Sequence, residues 1–278
     1  MSILSINSTY KTKAIDNSFA ELRLKRDGRF IVNEKHVQFT PLSVLANRLK
    51  LETEYDKVVL VLRHSIRPLN DWSANVELTD LGKYSASLAG KHLNGLTSQF
   101  KYFSTDTVRT KQTAYLLYKG RNENHQIDDE IESYENIPIA SQNNIYGLNF
   151  IKDQTKYNDY VNSDGYYKVW YNYIYGTQDP LPENPEDINH QYLDAFNDID
   201  IETDKFIISA LGATEKFSII ISHDQNVMPL VAYATNYIVN FKKYGNGSWL
   251  NFLSGLAIMQ KGGEYSFVPI SGLATGYN

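Results

Sequence analysis

The sequence predicts an α/β fold, a three-layer sandwich with a mostly parallel central sheet and an inserted, largely helical cap. Two runs, 58–62 and 217–221, are continuous, apolar and rich in β-branched residues. Such runs are typical of strands buried on both faces of a parallel sheet. Each run is followed by a polar loop and then by apolar residues at helical spacing, which favours strand–helix alternation. The composition changes between about 125 and 205, and this stretch is the predicted cap.

Length and composition narrow the class of protein. The 278 residues, 42% hydrophobic and 21% charged, indicate one globular domain over 1–278 with a core. A net charge of −5 argues against a nucleic-acid binder, and the absence of cysteine excludes disulfides and thiol nucleophiles. No apolar run approaches the roughly 20 residues that span a bilayer. Without a visible leader, we expect a cytoplasmic protein if the chain is complete and a periplasmic or secreted one if it is processed. The sequence does not predict whether the protein is a monomer or an oligomer.

An N-terminal arm of about 1–50 precedes the first buried strand. Residues 21–32 alternate weakly around the turn dipeptide Asp27-Gly28, which predicts a hairpin. Residues 41–51 predict a short helix.

A helix and a second strand–helix pair follow the first buried strand. Thr79 occupies the N-terminal capping position of a predicted helix, and Gly95 occupies the position where this helix is expected to end. The apolar positions of this helix are Leu81, Leu88, Ala89 and Leu93. Residues 101–105 predict a second strand, and 108–118 predict a second helix.

The chain closes with a helix and a strand pair. The predicted elements after the second buried run are a helix over 226–238, a strand over 250–260, the turn Gly262-Gly263 and a strand over 264–270. Asn226 is positioned to cap the helix.

Charged and polar residues gather at the ends of three predicted strands. They are Arg63, His64 and Arg67 after the first strand, Ser104 and Arg109 at the second, and His223, Asp224 and Asn226 at the third. Ligands of open α/β sheets bind at the carboxyl ends of the strands, so we expect the three groups to converge. Guanidinium groups match phosphate oxygens, which points to a phosphorylated ligand. For a single group taken alone, solvated surface residues are the favoured explanation, and the convergence of three groups at one sheet edge reverses this.

Four segments together resemble a known family. They are RHSIRP at 63–68, LTDLGKYSASLAGKHL at 78–93, STDTVRTKQTA at 104–114 and SHDQN at 222–226. In this order they resemble the histidine phosphatase superfamily, which includes phosphoglycerate mutases and histidine acid phosphatases. The first and last segments resemble the acid phosphatase branch, from which the chain departs by Ser65 in place of glycine and by Pro68 directly after Arg67.

The resemblance implies a metal-independent phosphomonoester hydrolase of acid phosphatase type that forms a phosphohistidine. It implies that His64 is the nucleophile and that Asp224 is the general acid. The implied phosphate-binding residues are Arg63, Arg67, Arg109 and His223, with Ser104 and Asn226 as further candidates. We expect no metal and no cofactor, because the arginines supply the positive charge, and the expected partner is a small phosphorylated substrate.

Three other functions remain open: a phosphoglycerate-mutase-like phosphotransferase, a phytase-like enzyme and a phospho-ligand-binding protein without turnover. The acid of a mutase-like member would come from Glu130, Glu132 or Glu135, which are otherwise solvated charges of the cap. Between 132 and 200 the only cations are three lysines, which disfavours a highly phosphorylated substrate. The seven tyrosines of 157–175 either contact substrate or pack the cap.

Overall fold

The computed structural model describes residues 22–24, 30–32, 39–51, 54–96, 99–122, 139–141, 148–176, 190–212, 215–237, 239, 241 and 249–273. The predicted N-terminal hairpin is confirmed, since β1 (Leu22–Leu24) and β2 (Phe30–Val32) pair antiparallel with Leu24 opposite Phe30.

A seven-stranded sheet forms the middle layer. Its strands are β3 (Thr40–Pro41), β4 (Lys57–Arg63), β5 (Phe100–Ser104), β6 (Ile139–Ser141), β7 (Phe217–Ser222), β8 (Gly255–Lys261) and β9 (Glu264–Ser271). They lie in the order β3-β9-β8-β4-β7-β5-β6. Among the described strands, β8 alone runs antiparallel to both of its neighbours, which confirms the mostly parallel sheet.

Helices cover both faces of this sheet. They are α1 (Leu42–Leu51), α2 (Asp80–His92), α3 (Val108–Asn122), α4 (Gln154–Asp164), α5 (Tyr166–Tyr175), α6 (Ile199–Gly212) and α7 (Asp224–Ala234), with 3-10 turns at Leu148–Phe150 and His190–Ala195. Alternate residues of β4 point to opposite faces: Leu60 packs in one core with α1 to α3, and Val61 in another with α4 to α7. The three-layer α/β sandwich is therefore confirmed.

The predicted cap stretch, 125–205, contributes to several layers. Within its described part, β6 pairs with β5 at the sheet edge, while α4, α5 and α6 pack into the core that holds Val61. In the described helices no segment is both long and apolar enough to cross a membrane.

Two predicted boundaries are wrong. Helix α7 begins at Asp224 and ends at Ala234, because Asn236 and Tyr237 have positive φ angles of 51° and 61°. Strand β8 begins at Gly255 instead of residue 250, since Leu253 has a φ of 59°, which no strand contains.

The predicted apolar face of α2 is also partly wrong. Leu81 and Leu88 are 60% and 40% exposed, although the predicted cap at Thr79 is confirmed by a 3.0 Å bond from the Gly82 N–H. The buried face of α2 consists of small residues, which bring α3 close.

Candidate active site

Three neighbouring parallel strands bring the predicted residues together. Strands β4, β7 and β5 lie side by side, and Arg63 at the end of β4 pairs with Ser222 at the end of β7. Ser104 at the end of β5 pairs with Ile221. Because the carboxyl ends of these strands meet at one sheet edge, the loops that follow them enclose one cavity.

The His64 side chain is buried with a defined proton position. Its Nδ1 lies 2.7 Å from the Ser65 carbonyl oxygen, and Arg109 Nε lies 3.3 Å from its Nε2. A carbonyl oxygen only accepts, so Nδ1 carries the proton and Nε2 presents a lone pair. Burial lowers the pKa of His64 well below its ordinary value, and the neighbouring cationic groups lower this pKa further. The imidazole is therefore neutral at neutral pH.

Three guanidinium groups line the cavity that holds His64, and one of them, Arg109, donates from Nε to the Nε2 lone pair. Arg63 donates to the Leu250 carbonyl, and Arg109 donates to the Ser73 carbonyl at 2.7 Å. Arg67 donates to the carbonyl oxygen of Pro68 at 2.7 Å. Backbone carbonyls thus fix the guanidinium groups without neutralising them.

The arginines remain charged despite their burial. Burial lowers the pKa of Arg109 to about 10, with the charge of Arg67 adding to the effect, and burial likewise lowers the pKa of Arg67. Three cationic groups against one carboxylate make the cavity floor a site for an anion.

His223 is oriented by two partners. Arg109 Nη2 lies 3.5 Å from its Nδ1, and Thr105 Oγ1 lies 3.1 Å from its Nε2. Because a guanidinium only donates, Nδ1 accepts and Nε2 carries the proton. The His64 and His223 rings stand edge to face with centroids 5.5 Å apart. Burial, followed by the charge of Arg109, lowers the pKa of His223.

Asp224 receives hydrogen bonds on both carboxylate oxygens. Tyr166 Oη donates to Oδ1 at 3.0 Å, and Trp249 Nε1 donates to Oδ2 at 2.9 Å. Arg63 Nη2 lies 3.5 Å from Oδ2. Burial raises the pKa of Asp224, but the Arg63 charge and the two donors outweigh it, so this pKa lies below its ordinary value.

The cavity has a volume of about 540 Å³, within the roughly 300–1,000 Å³ typical of small-molecule sites. Its lining comprises the six principal predicted residues, Arg63, His64, Arg67, Arg109, His223 and Asp224, together with Trp72, Thr107, Tyr166, Tyr167 and Gln225. Among the described residues, no cluster of three or more histidine, aspartate and glutamate side chains forms a metal site.

Two further candidates do not line this cavity. The Ser104 hydroxyl is buried and donates to the Thr105 carbonyl oxygen at 2.9 Å. Asn226 does not cap α7, because His223 occupies the capping position and Asn226 is a buried residue of the first turn. The alternative acids Glu130, Glu132 and Glu135 lie outside the described residues.

Sequence reasoning missed the aromatic part of the lining. The tyrosine-rich segment signalled Tyr166 and Tyr167 without distinguishing them from its core members, such as Tyr171 and Tyr173. No pattern in the sequence pointed to Trp72.

No protein-family model matches the chain, and no curated protein sequence matches it. Solved structures of similar fold include a mycobacterial glucosyl-3-phosphoglycerate phosphatase in complex with inorganic phosphate, at 13% identity and a TM-score of 0.43, covering 80% of this chain and 99% of that one. The open reading frame Rv3214 from Mycobacterium tuberculosis is 15% identical, with a TM-score of 0.41. The match covers 78% of this chain and 98% of that one. The protein histidine phosphatase SixA in complex with tungstate is 13% identical with a TM-score of 0.38, covering 77% and 96%.

Proposed function

We propose that this chain is a metal-independent phosphomonoester hydrolase of the acid phosphatase type, acting through a phosphohistidine on His64. The observation that carries the proposal is the proton position of this residue. With Nδ1 bonded to the Ser65 carbonyl, the Nε2 lone pair lies at the arginine-lined cavity, where it accepts a hydrogen bond from Arg109 Nε that a bound phosphoryl group would take over. A neutral imidazole whose proton is held on Nδ1 is in the protonation state that nucleophilic attack by Nε2 requires.

In the first step the His64 Nε2 lone pair attacks phosphorus, and the bond from phosphorus to the alcohol oxygen breaks. Asp224 gives its proton to that oxygen, so the alcohol leaves neutral. The guanidinium groups hold the nonbridging phosphoryl oxygens as their charge redistributes. These fixed cations perform the electrostatic role that a metal ion performs in other phosphoryl-transfer sites.

In the second step water attacks the phosphorus of the phosphohistidine. The Asp224 carboxylate takes a proton from the water, and the bond between phosphorus and Nε2 breaks. Inorganic phosphate forms, and His64 regains its lone pair. The two steps together return each residue to its starting protonation state.

An acidic optimum follows from the two ionisations that this mechanism needs. His64 must be unprotonated, and its lowered pKa allows this in acidic solution. Asp224 must be protonated when the alcohol leaves, although its resting pKa is lowered. A bound phosphate dianion raises the pKa of a neighbouring carboxyl, and acidic solution further favours its protonated form.

The test is a search for the phosphohistidine. Enzyme mixed with radiolabelled phosphomonoester and quenched in alkaline detergent, where the phosphorus–nitrogen bond survives, should carry label that acid releases. His64→Ala should lose this label and lower kcat by roughly a thousandfold or more. Activity should persist in EDTA and be inhibited by vanadate.

The matched control is His92→Ala, which alters a histidine in the last turn of α2 outside the cavity and should leave labelling intact. Label on a serine, threonine or aspartate would contradict the mechanism. Loss of activity in EDTA with recovery on adding a divalent ion would contradict metal independence. Transfer of phosphate to a second sugar would favour the mutase alternative.

A further inference from the structure

The cavity divides into a charged floor and an uncharged mouth. The floor holds the arginines, histidines and carboxylate described above, and His64 there is 3% exposed. The remaining lining residues are Trp72, Thr107, Tyr166, Tyr167 and Gln225. None of these five residue types is ionised at neutral pH, and burial holds the pKa of Tyr166 well above its ordinary value. The mouth therefore offers no charge to a second anionic group.

Three of these five residues present aromatic rings. The Tyr167 ring stands edge to face with Trp249 at 4.7 Å and with Tyr166 at 5.4 Å, so its position is fixed by packing. Trp72 lies 65% exposed, with its ring centroid 5.4 Å from the Arg67 guanidinium carbon. This cation–π contact places the indole beside Arg67, one of the arginines of the floor.

The place of these rings in the cavity relates them to the leaving alcohol of the proposed reaction at His64. A phosphoryl group held at His64 directs its ester oxygen away from Nε2, because attack and departure are in line. Two mouth residues donate to Asp224, the group proposed to protonate that oxygen: Tyr166 through its hydroxyl and Gln225 through its backbone N–H. The alcohol carried by the ester oxygen therefore extends towards the aromatic rings.

We propose that the mouth is a subsite for the alcohol of a monophosphate ester, and that it takes an uncharged ring with an apolar face. The proposal rests on the proposed function and adds the substrate class to it. Aromatic side chains bind flat apolar faces, which both aromatic rings and sugar rings present. An ester with a second phosphate has no matching cation among the described residues of the mouth.

The experiment measures binding without turnover. Calorimetric titration compares 2-phenylethylphosphonate with hexylphosphonate, a chain of similar apolar area, because neither ligand can be hydrolysed. We expect the ring compound to bind roughly three- to tenfold more tightly. Trp72→Ala and Tyr167→Ala should each lower this preference to about twofold or less, whereas Trp72→Phe and Tyr167→Phe should retain most of it.

Tyr84→Ala is the matched control, since this tyrosine is an exposed aromatic residue of α2 outside the cavity. It should leave the preference unchanged. Trp72 is largely exposed, so Trp72→Ala tests the proposal even if Tyr167→Ala fails to fold. One additional ligand defines the class of ring. A 2-cyclohexylethylphosphonate that binds as tightly as the aromatic compound indicates a saturated, sugar-like ring, and a weaker one indicates an aromatic ring.

Equal affinity for ring and chain would overturn the proposal, as would no binding at all. Tighter binding of hexane-1,6-bisphosphonate than of either monophosphonate would also overturn it, because the mouth would then accept charge. Failure of the proposed function would give a different set of results from failure of this proposal. In that case the ring preference is present, while no phosphomonoester is hydrolysed and no phosphohistidine forms.

Discussion

Ser65, the residue after the proposed nucleophile, ties the loop to two helices. Its hydroxyl donates to the Gly82 carbonyl of α2 at 2.7 Å, and its N–H donates to Thr113 Oγ1 of α3 at 3.0 Å. Its carbonyl oxygen accepts a hydrogen bond from His64 Nδ1–H. Ser65 stands where the motif that segment 63–68 resembles has a glycine. Its hydroxyl, amide and carbonyl groups therefore hold the imidazole of His64. Such anchoring keeps the nucleophile in place before substrate arrives.

At the same scale, Tyr166→Phe tests how Asp224 is controlled. The variant removes one donor to the carboxylate, so the pKa of Asp224 should rise towards its ordinary value. Because the acid must be protonated, the alkaline limb of the pH profile for benzyl phosphate should move to higher pH. For p-nitrophenyl phosphate, whose leaving group needs no proton, this limb should stay in place.

The pH dependence of kcat for the two esters is the measurement. Tyr160→Phe, which removes a hydroxyl that donates to Asp194 outside the cavity, serves as the control and should move neither profile. Equal movement of both profiles would show that Tyr166 acts on the fold or on phosphate binding instead of on the general acid.

At the scale of elements, helices α2 and α3 pack in close backbone contact. A Cβ atom added at Gly90 would lie 2.2 Å from the Leu117 carbonyl oxygen, and one at Gly120 would lie 2.0 Å from that of Ser87. The two helix backbones thus touch at reciprocal glycines. Since α3 carries Arg109 and the start of α2 packs on the loop of His64, this contact sets the distance between two parts of the site.

Gly90→Ala should therefore destabilise the protein by about 1–3 kcal/mol, because the added methyl meets backbone that cannot move alone. Urea unfolding monitored by circular dichroism measures this loss. Gly212→Ala is the matched control: its Cβ would meet nothing within 4 Å, so the free energy of unfolding should stay equal or rise slightly. A Gly90→Ala protein as stable as wild type would contradict the close contact.

This helix pair also explains where prediction from sequence failed. Leucines at helical spacing suggested a buried leucine face for α2, yet close approach of two backbones requires glycine, alanine and serine at the contact. Leu81 and Leu88 consequently point to solvent. Hydrophobic periodicity detects large apolar side chains, and a contact built from small residues is invisible to it.

In the whole molecule, the predictable features were those encoded in contiguous stretches of chain. The runs 58–62 and 217–221 identified two central strands, and the polar residues after them identified the cavity floor. The aromatic residues near the charged groups could not be predicted in this way, because Trp72, Tyr166 and Trp249 come from distant parts of the chain. Only the tertiary fold brings Tyr166 and Trp249 to Asp224 and Trp72 to the same cavity, so no local pattern could relate them.

The buried histidines make the stability of the whole molecule depend on pH. The pKa values of His64 and His223 are lowered in the folded state, whereas the unfolded chain has ordinary values near 6.5. Below about pH 6.5 the unfolded state therefore binds more protons, and stability is lost as the pH falls towards the folded-state values. Each histidine can contribute a slope of up to about 1.4 kcal/mol per pH unit.

Urea unfolding at several pH values between 7.5 and 5 measures this slope. The double variant His64→Gln and His223→Gln should flatten it, because glutamine does not titrate. His92→Gln, the control outside the cavity, should keep the wild-type slope. A wild-type protein equally stable across this range would show that the two histidines titrate in the folded state as they do in the unfolded chain.

The exposure of Trp72 also gives the protein an intrinsic optical reporter. The chain has three tryptophans, and Trp170 and Trp249 are 0% and 4% exposed, against 65% for Trp72. Indole emission shifts with the polarity of its surroundings, so the long-wavelength fluorescence of the folded protein comes from the mouth of the cavity. Contact of a bound molecule with this single indole is thereby registered in the emission spectrum of the unlabelled chain.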